Sequence, residues 1–195
     1  MTEVRVETLR GDAIDAHLDA LAGLRIAVFR DWPYLYDGDE AYERDYMRAY
    51  AAPGAVIVGA FDGDRMVGAA TAARMEDHAE DFAAAFAGHD WPLSKIYYLA
   101  ESVLLPEYRG HGLGHAFFDA REAAGRAENC RHAAFCSVIR PDDHPMKPER
   151  ARAHDAFWRG RGYRPLDGVV AYFAWTDLGD AEKTRKPLQF WGKTL

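Results

Sequence analysis

"LLPEYRGHGLGHAFF", residues 104–118, sets three glycines, an arginine and two histidines between one apolar run and the next. Pro106 closes the first run, glycine recurs at positions 110, 112 and 114, and a helical pattern then begins. Glycine inside regular structure costs roughly 0.5–1 kcal/mol relative to alanine, so bare backbone here has to serve something. A phosphate is the ligand that bare N–H groups at a helix start attract. Two common phosphate loops do not fit. A Walker loop needs lysine directly after its last glycine, and His115 follows Gly114. A dinucleotide loop counted from Gly110 would need its third glycine where His115 stands. It would also need an acidic residue about 20 positions on in the expected place, and none is there. What remains is R-x-x-G-x-G, carried by Arg109, Gly112 and Gly114, after a strand and at the head of a helix.

Composition bounds the rest. A chain of 195 residues with 49% hydrophobic residues fits one domain, residues 1–195, with a sizeable core. The net charge of −7 argues against a nucleic-acid module, whose footprint is a basic stripe. No signal-like segment opens the chain, and no run approaches the roughly 18 apolar residues of a membrane helix. A soluble, cytoplasmic protein without nucleic-acid or membrane partners is the expectation. Cys130, His132 and Cys136 invite a metal, but no CxxC or matched His pair completes four ligands. Cys136 lies in the apolar run "HAAFCSVI", where a buried reduced thiol is ordinary.

Along the chain, "EVRVETL" (3–9) alternates as a first strand. "GDAIDAHLDALAGLRIAVFRD" (11–31) shows helical spacing with a bend expected near Gly23, and "YERDYMRAYAA" (42–52) is a further helix stopped by Pro53-Gly54. "AVIVGAFD" and "RMVGAATAAR" form a hairpin about Gly63-Asp64. "AEDFAAAFAG" (79–88) is an alanine-rich helix, "KIYYLAESVLL" (95–105) a strand, 112–128 a helix and "RHAAFCSVI" (131–139) a buried strand. "PERARAHDAFWRG" (148–160) reads as a helix with Pro148 in its first turn, and "VVAYFAWTD" and "PLQFWGKTL" close as two strands. This order predicts a mixed sheet with at least one parallel crossover.

The loop, with "LLPEY" before it, resembles the acyl-CoA-binding signature of the GNAT superfamily of N-acyltransferases, and the order of elements is similar along nearly the whole chain. The resemblance implies an α/β fold: a single-domain, mostly antiparallel mixed sheet flanked by helices, with a splayed parallel strand pair. It implies acetyl-CoA as co-substrate. Val103, Leu104 and Leu105 would offer backbone groups to the pantetheine arm in the manner of an added half-strand. The segment Arg109, Gly110, His111, Gly112, Leu113 and Gly114 would hold the pyrophosphate. An N–H near Leu104 would polarise the thioester carbonyl. The acceptor would be an amine of a small molecule or peptide, attacking directly in a ternary complex. A homodimer is compatible with the resemblance. A second signature, "AFWRGRGYRP", departs from it: Trp158 stands where relatives usually carry a proton-donating tyrosine, ahead of Gly162 and Tyr163. That departure keeps a catalytically silent acyl-CoA-binding or sensing domain in view, beside an unrelated anion-binding α/β protein.

Direct attack needs an uncharged amine, and a lysine-like amine with a pKa of about 10.4 is free base only about one part in 10³ at pH 7. Glu101, a carboxylate inside the apolar run "YYLAESVLL", is the candidate catalytic base; the alternative is that it faces solvent or pairs with an arginine. His111 and His115 have the i, i+4 spacing of two helix-borne ligands but lack a third, so no metal is expected. His144, in "IRPDDHPMKP" with Arg140, Asp142 and Asp143, is a candidate proton relay or simply a solvated loop residue. Trp32, Tyr34 and Tyr36 with Asp37, Asp39 and Glu40 are candidates to receive a cationic acceptor, or ordinary loop packing.

Overall fold

Apolar runs buried on both faces make the centre of this molecule. The computed structural model describes residues 4–151 and 153–195; Glu3 and Arg152, part of the strand and helix expected at 3–9 and 148–160, lie outside them. Among the described residues eight strands form one sheet: β1 (Arg5–Leu9), β2 (Val56–Asp62), β3 (Arg65–Arg74), β4 (Ile96–Tyr98), β5 (Ser102–Leu104), β6 (His132–Val138), β7 (Arg164–Trp175) and β8 (Thr184–Thr194). The order is β1-β2-β3-β4-β6-β8-β7, with β5 also paired to β3, and every pairing is antiparallel except β4 with β6. This is the GNAT arrangement that the resemblance implied. Ile57 of β2 packs into a cluster with Leu21 and Met47, while its neighbour Val58 packs with Leu113 and Phe117. The period of two therefore sends alternate residues to α1 (Leu18–Phe29) and α2 (Glu40–Arg48) on one face and to α4 (Leu113–Ala127) on the other.

Several expectations shift. The bend in the first helical segment lies at His17, where a 3-10 stretch (Gly11–His17) passes into α1; Gly23 sits mid-helix on an exposed face and is tolerated there. The alanine-rich helix is only α3 (Ala79–Phe82), and the helix expected from Pro148 begins late, as α5 (Asp155–Gly160). Pro141, Pro145 and Pro148 remove donors from the segment before it, so no first turn nucleates there. The largest correction concerns residues 95–105, which are two strands. Ala73 pairs with Tyr98 and Ala70 with Ser102, so the register against β3 slips by one residue between them. The slip is a β-bulge: Ala100 N–H donates to Thr71 O at 3.0 Å and Thr71 N–H to Glu101 O at 3.0 Å.

Candidate active site

The bulge decides where the site lies. β4 and β6 run parallel through Tyr98 and Ala134, with one further bond from Leu99 N–H to Ala134 O at 2.8 Å. Beyond it, β5 stays with β3 while β6 stays with β8 as far as Val138, and the two strands part. A cleft of about 710 Å³ occupies the opening, within the range of sites for drug-sized molecules. β5 forms one wall and Phe135 to Val138 the other. Gly68 allows β5 its close approach to β3, since a Cβ there would lie 2.6 Å from Leu104 Cδ1 and 3.1 Å from Val103 O.

Of the three residues expected to present backbone groups, Leu104 is the one whose groups face the cleft. Glu101 O and Leu105 N both bond to β3, the latter to Val67 O at 3.0 Å. Alternation therefore directs Val103 toward β3 as well and turns Leu104 the other way. Leu105 O is also spent, accepting from Tyr108 N–H at 3.0 Å. Arg109 closes the strand end by donating from Nε to Leu104 O at 3.1 Å, which leaves the Leu104 N–H as the group aimed at the opening.

The glycine segment stands at the end of this gap. Gly110 and Gly112 take φ of +86° and +82°, and nothing lies within 4 Å of a Cβ built on either. The conformation favours glycine, yet no atom of the described residues fills the space that a side chain would take. Open space lined by bare backbone has the shape of a cradle whose N–H groups are left accessible. Gly112 caps α4, whose first N–H groups open onto the cradle, and His111 beside it is exposed. Gly114 has a different purpose: a Cβ there would touch Phe157 at 3.4 Å, so it admits α5 against α4. Leu113 packs inward with Phe117 and anchors the helix start.

Glu101 lines the cleft with its side chain only 9% exposed, and it is paired with an arginine. Arg25 of α1 hydrogen-bonds through Nη1 to Glu101 and through Nε to Glu43 of α2, whose second carboxylate oxygen accepts from Tyr36 O–H at 2.8 Å. The Arg25 guanidinium also lies 4.5 Å from the Tyr46 ring centroid and 5.0 Å from that of Phe29. Burial raises the Glu101 pKa, the Arg25 charge pulls it back, and the Glu43 charge adds to the rise; the net direction is upward.

Arg121 of α4 holds the bulge itself. Fully buried, it donates from Nη1 to Thr71 O (3.2 Å) and Glu101 O (3.1 Å), from Nη2 to Ser102 Oγ (2.8 Å) and from Nε to Phe117 O (3.1 Å). Burial pushes its pKa down to about 10, so it is charged at neutral pH. Sequence reading passed over both arginines. The available signal was their place on apolar stripes: Arg121 four residues after Phe117, and Arg25 four after Leu21.

From the segment after α1, Trp32 and Tyr34 line the cleft, joined by Phe29 and Asp31. Tyr36 is instead committed to Glu43, Asp39 caps α2 by accepting from Tyr42 N–H at 2.8 Å, and Asp37 pairs with Arg30 at 3.8 Å on the surface. Arg140 pins this loop, donating to Pro33 O (2.8 Å) and Tyr34 O (2.7 Å) while pairing with Asp177 (2.6 Å), which also holds Lys186 (3.0 Å). His144 packs against Trp32 with ring centroids 5.3 Å apart, and its Nδ1 accepts from Met146 N–H at 3.2 Å. Trp158 lines the cleft between Phe135 (5.0 Å) and Trp191 (5.1 Å), while the Tyr163 hydroxyl lies outside, donating to Glu122 at 3.1 Å. His115 meets Arg161 at 3.1 Å, and among the described residues no group of three or more His, Cys, Asp or Glu is placed to hold a metal ion.

Beside this geometry, a parallel pair that splays open with a glycine turn at its mouth, the family model for the acetyltransferase (GNAT) family matches residues 23–148. The chain belongs to the GNAT acetyltransferase family. GNAT acetyltransferases are acyl-CoA-dependent transferases. Its fold is shared with an aminoglycoside 6′-N-acetyltransferase complexed with coenzyme A, at 14% identity over 97% of this chain and 96% of that one, with a TM-score of 0.63. It is shared equally with the ribosomal-protein-alanine N-acetyltransferase from Brucella melitensis, at 14% identity over 99% of both chains and a TM-score of 0.62. A third structure, the PaiA N-acetyltransferase from Thermoplasma acidophilum in complex with coenzyme A, aligns over 100% of both chains at 12% identity and a TM-score of 0.55. These identities speak to fold alone. No curated protein matches the chain in sequence. Among the described residues of this GNAT chain no helix is long and apolar enough to cross a membrane.

Proposed function

We propose that this GNAT protein transfers the acetyl group of acetyl-CoA to an amine of a small molecule or peptide by direct attack in a ternary complex. The observation that carries this reading is the gap between β5 and β6 ending on Gly110 and Gly112, whose open cradle suits a pyrophosphate. Structural neighbours bound to coenzyme A support the same donor. The arm would lie along β5, where the Leu104 N–H would donate to the thioester carbonyl and stabilise the oxyanion as charge develops. Glu101 would take the proton from the acceptor nitrogen as the new N–C bond forms and the C–S bond breaks, with CoA leaving as its thiolate. Trp158 would wall the thioester pocket, because an indole donates a hydrogen bond but supplies no proton. A thiol with a pKa of about 8.5 leaves as its thiolate at pH 7 at a cost of only about 2 kcal/mol, and water then protonates it.

Cys136 lines the same cleft, but burial pushes its thiol up to about 12, so a thiolate nucleophile is scarce there and an acyl-cysteine step is not favoured. The test is release of the free CoA thiol from acetyl-CoA, followed across a panel of primary amines and peptides. Turnover with any amine supports the reading. Tight acetyl-CoA binding without turnover across the panel would favour a sensing domain, and tighter binding of ATP or NAD than of acetyl-CoA would reject the donor.

A further inference from the structure

Few of the groups that face Glu101 carry charge. The Cys136 thiol of β6, the Tyr34 hydroxyl of the loop after α1, and the hydroxyls of Tyr46 on α2 and Tyr50 in the turn behind it all feel its charge. Burial holds all four neutral. Among the described residues, the charged groups that act most on the carboxylate are then Arg25, Glu43 and Arg121. Arg121 is spent on the carbonyls of the bulge and on Ser102. Arg25 and Glu43 are left to decide the matter, and they act in opposite senses.

One guanidinium here serves two buried carboxylates, and neither Arg25 nor Glu43 lines the cleft; Glu101 alone of the three does. Glu43 is fully buried with both oxygens occupied, by Arg25 and by Tyr36 O–H. Such clusters are a poor source of stability, since apolar residues of the same shape commonly hold a fold as well or better. Their use here is what they do to the one carboxylate that reaches the opening. We propose that Arg25 and Glu43 are opposed positioning residues for Glu101. The guanidinium aims the carboxylate and favours its ionised form, while Glu43, drawing on the same guanidinium, leaves it basic enough to take the acceptor's proton. The proton passes from the amine nitrogen to Glu101 and then to water after the products leave. This rests on Glu101 being the base.

The experiment is a ¹³C titration of glutamate carboxyls in the folded protein, the Glu101 signal being the one lost in Glu101→Gln. Arg25→Gln should move the Glu101 midpoint up by a pH unit or more, and Glu43→Gln should move it down. Arg25→Lys, which keeps the charge but not the fork, should keep the midpoint near wild type while lowering kcat. The acid limb of kcat/KM should follow the same order with any amine that turns over. Midpoints that stay in place in both variants, or move in the same direction, overturn the inference while leaving the base reading intact. If Arg25→Gln does not fold, Glu43→Gln decides alone: a downward shift supports the proposal and an unmoved midpoint overturns it. Full turnover of Glu101→Gln would instead remove the base reading and, with it, the role given to both residues.

Discussion

Replacing Gly112 separates the two demands that the cradle makes on the chain. Any side chain there must adopt φ near +82°, which costs a non-glycine residue roughly 1–2 kcal/mol. Beyond its chain neighbours, no atom of the described residues lies within 4 Å of the added Cβ, so no steric penalty joins that cost. Gly112→Ala should therefore fold, with stability reduced by about 1–2 kcal/mol and CoA affinity little changed by charge. Gly112→Asp carries a similar or smaller backbone cost, because aspartate visits this region more readily than alanine. It adds an anion at the mouth of the proposed pyrophosphate site. A carboxylate about 4 Å from one phosphate charge is repelled by about 1 kcal/mol in water and about 4 kcal/mol at an effective dielectric of about 20. The loop is exposed, so about 2 kcal/mol is appropriate, or roughly 30-fold in Kd. Calorimetric titration of CoA into both variants measures the difference, with thermal unfolding confirming that each is folded. Raising the salt to about 1 M, where the screening length is about 3 Å, should bring the two affinities together. Equal CoA affinities for folded Gly112→Ala and Gly112→Asp at low salt would refute the placement of the pyrophosphate over residues 109–114.

Glu101→Gln should lower turnover by roughly 10²–10⁴ at pH 7, with part of the loss recovered at higher pH as the acceptor deprotonates itself; steady-state rates from pH 6 to about 10 check this. Trp158→Phe should keep most activity, whereas Trp158→Ala should lose about 3 kcal/mol by opening a cavity against Phe135 and Trp191; a hundredfold fall for the phenylalanine variant would assign the indole a part in the chemistry. Asp177→Asn should cost about 3–5 kcal/mol at pH 7, because Arg140 and Lys186 would remain buried without their shared carboxylate. Burial by itself would raise the Asp177 pKa, but hydrogen bonds from Arg140 and Lys186 overcome it and the net shift is downward. Its stabilisation is accordingly full above the unfolded carboxylate value of about 3.9 and lost as pH falls through the lower folded value. Denaturant melts of wild type between pH 6 and 2.5 should show that loss, and the asparagine variant should lack Asp177's share of it.

Local chemistry was enough to place the turn at Arg109–Gly112, the hairpin at Gly63-Asp64, the helix at 113–127 and the buried strand at 132–138. Each rests on spacing or turn residues within about fifteen positions, which is the range over which sequence pattern reflects structure directly. That Glu101 stands in an apolar strand was likewise legible; its partner was not. Arg25 lies on α1 and Glu43 on α2, and sequence separation holds nothing about which apolar stripe will face Glu101. The division of 95–105 into β4 and β5 was hidden for the same reason. Both pieces alternate as strands, and the bulge between them is held by Arg121, which reaches in from α4 to bond the carbonyls of Thr71 and Glu101. That bulge is where β5 and β6 part, so the cleft, and with it the choice of Leu104 over Val103 and Leu105, was decided by contacts between residues far apart in the chain. Periodicity states which side of an element is buried; only packing states what it is buried against.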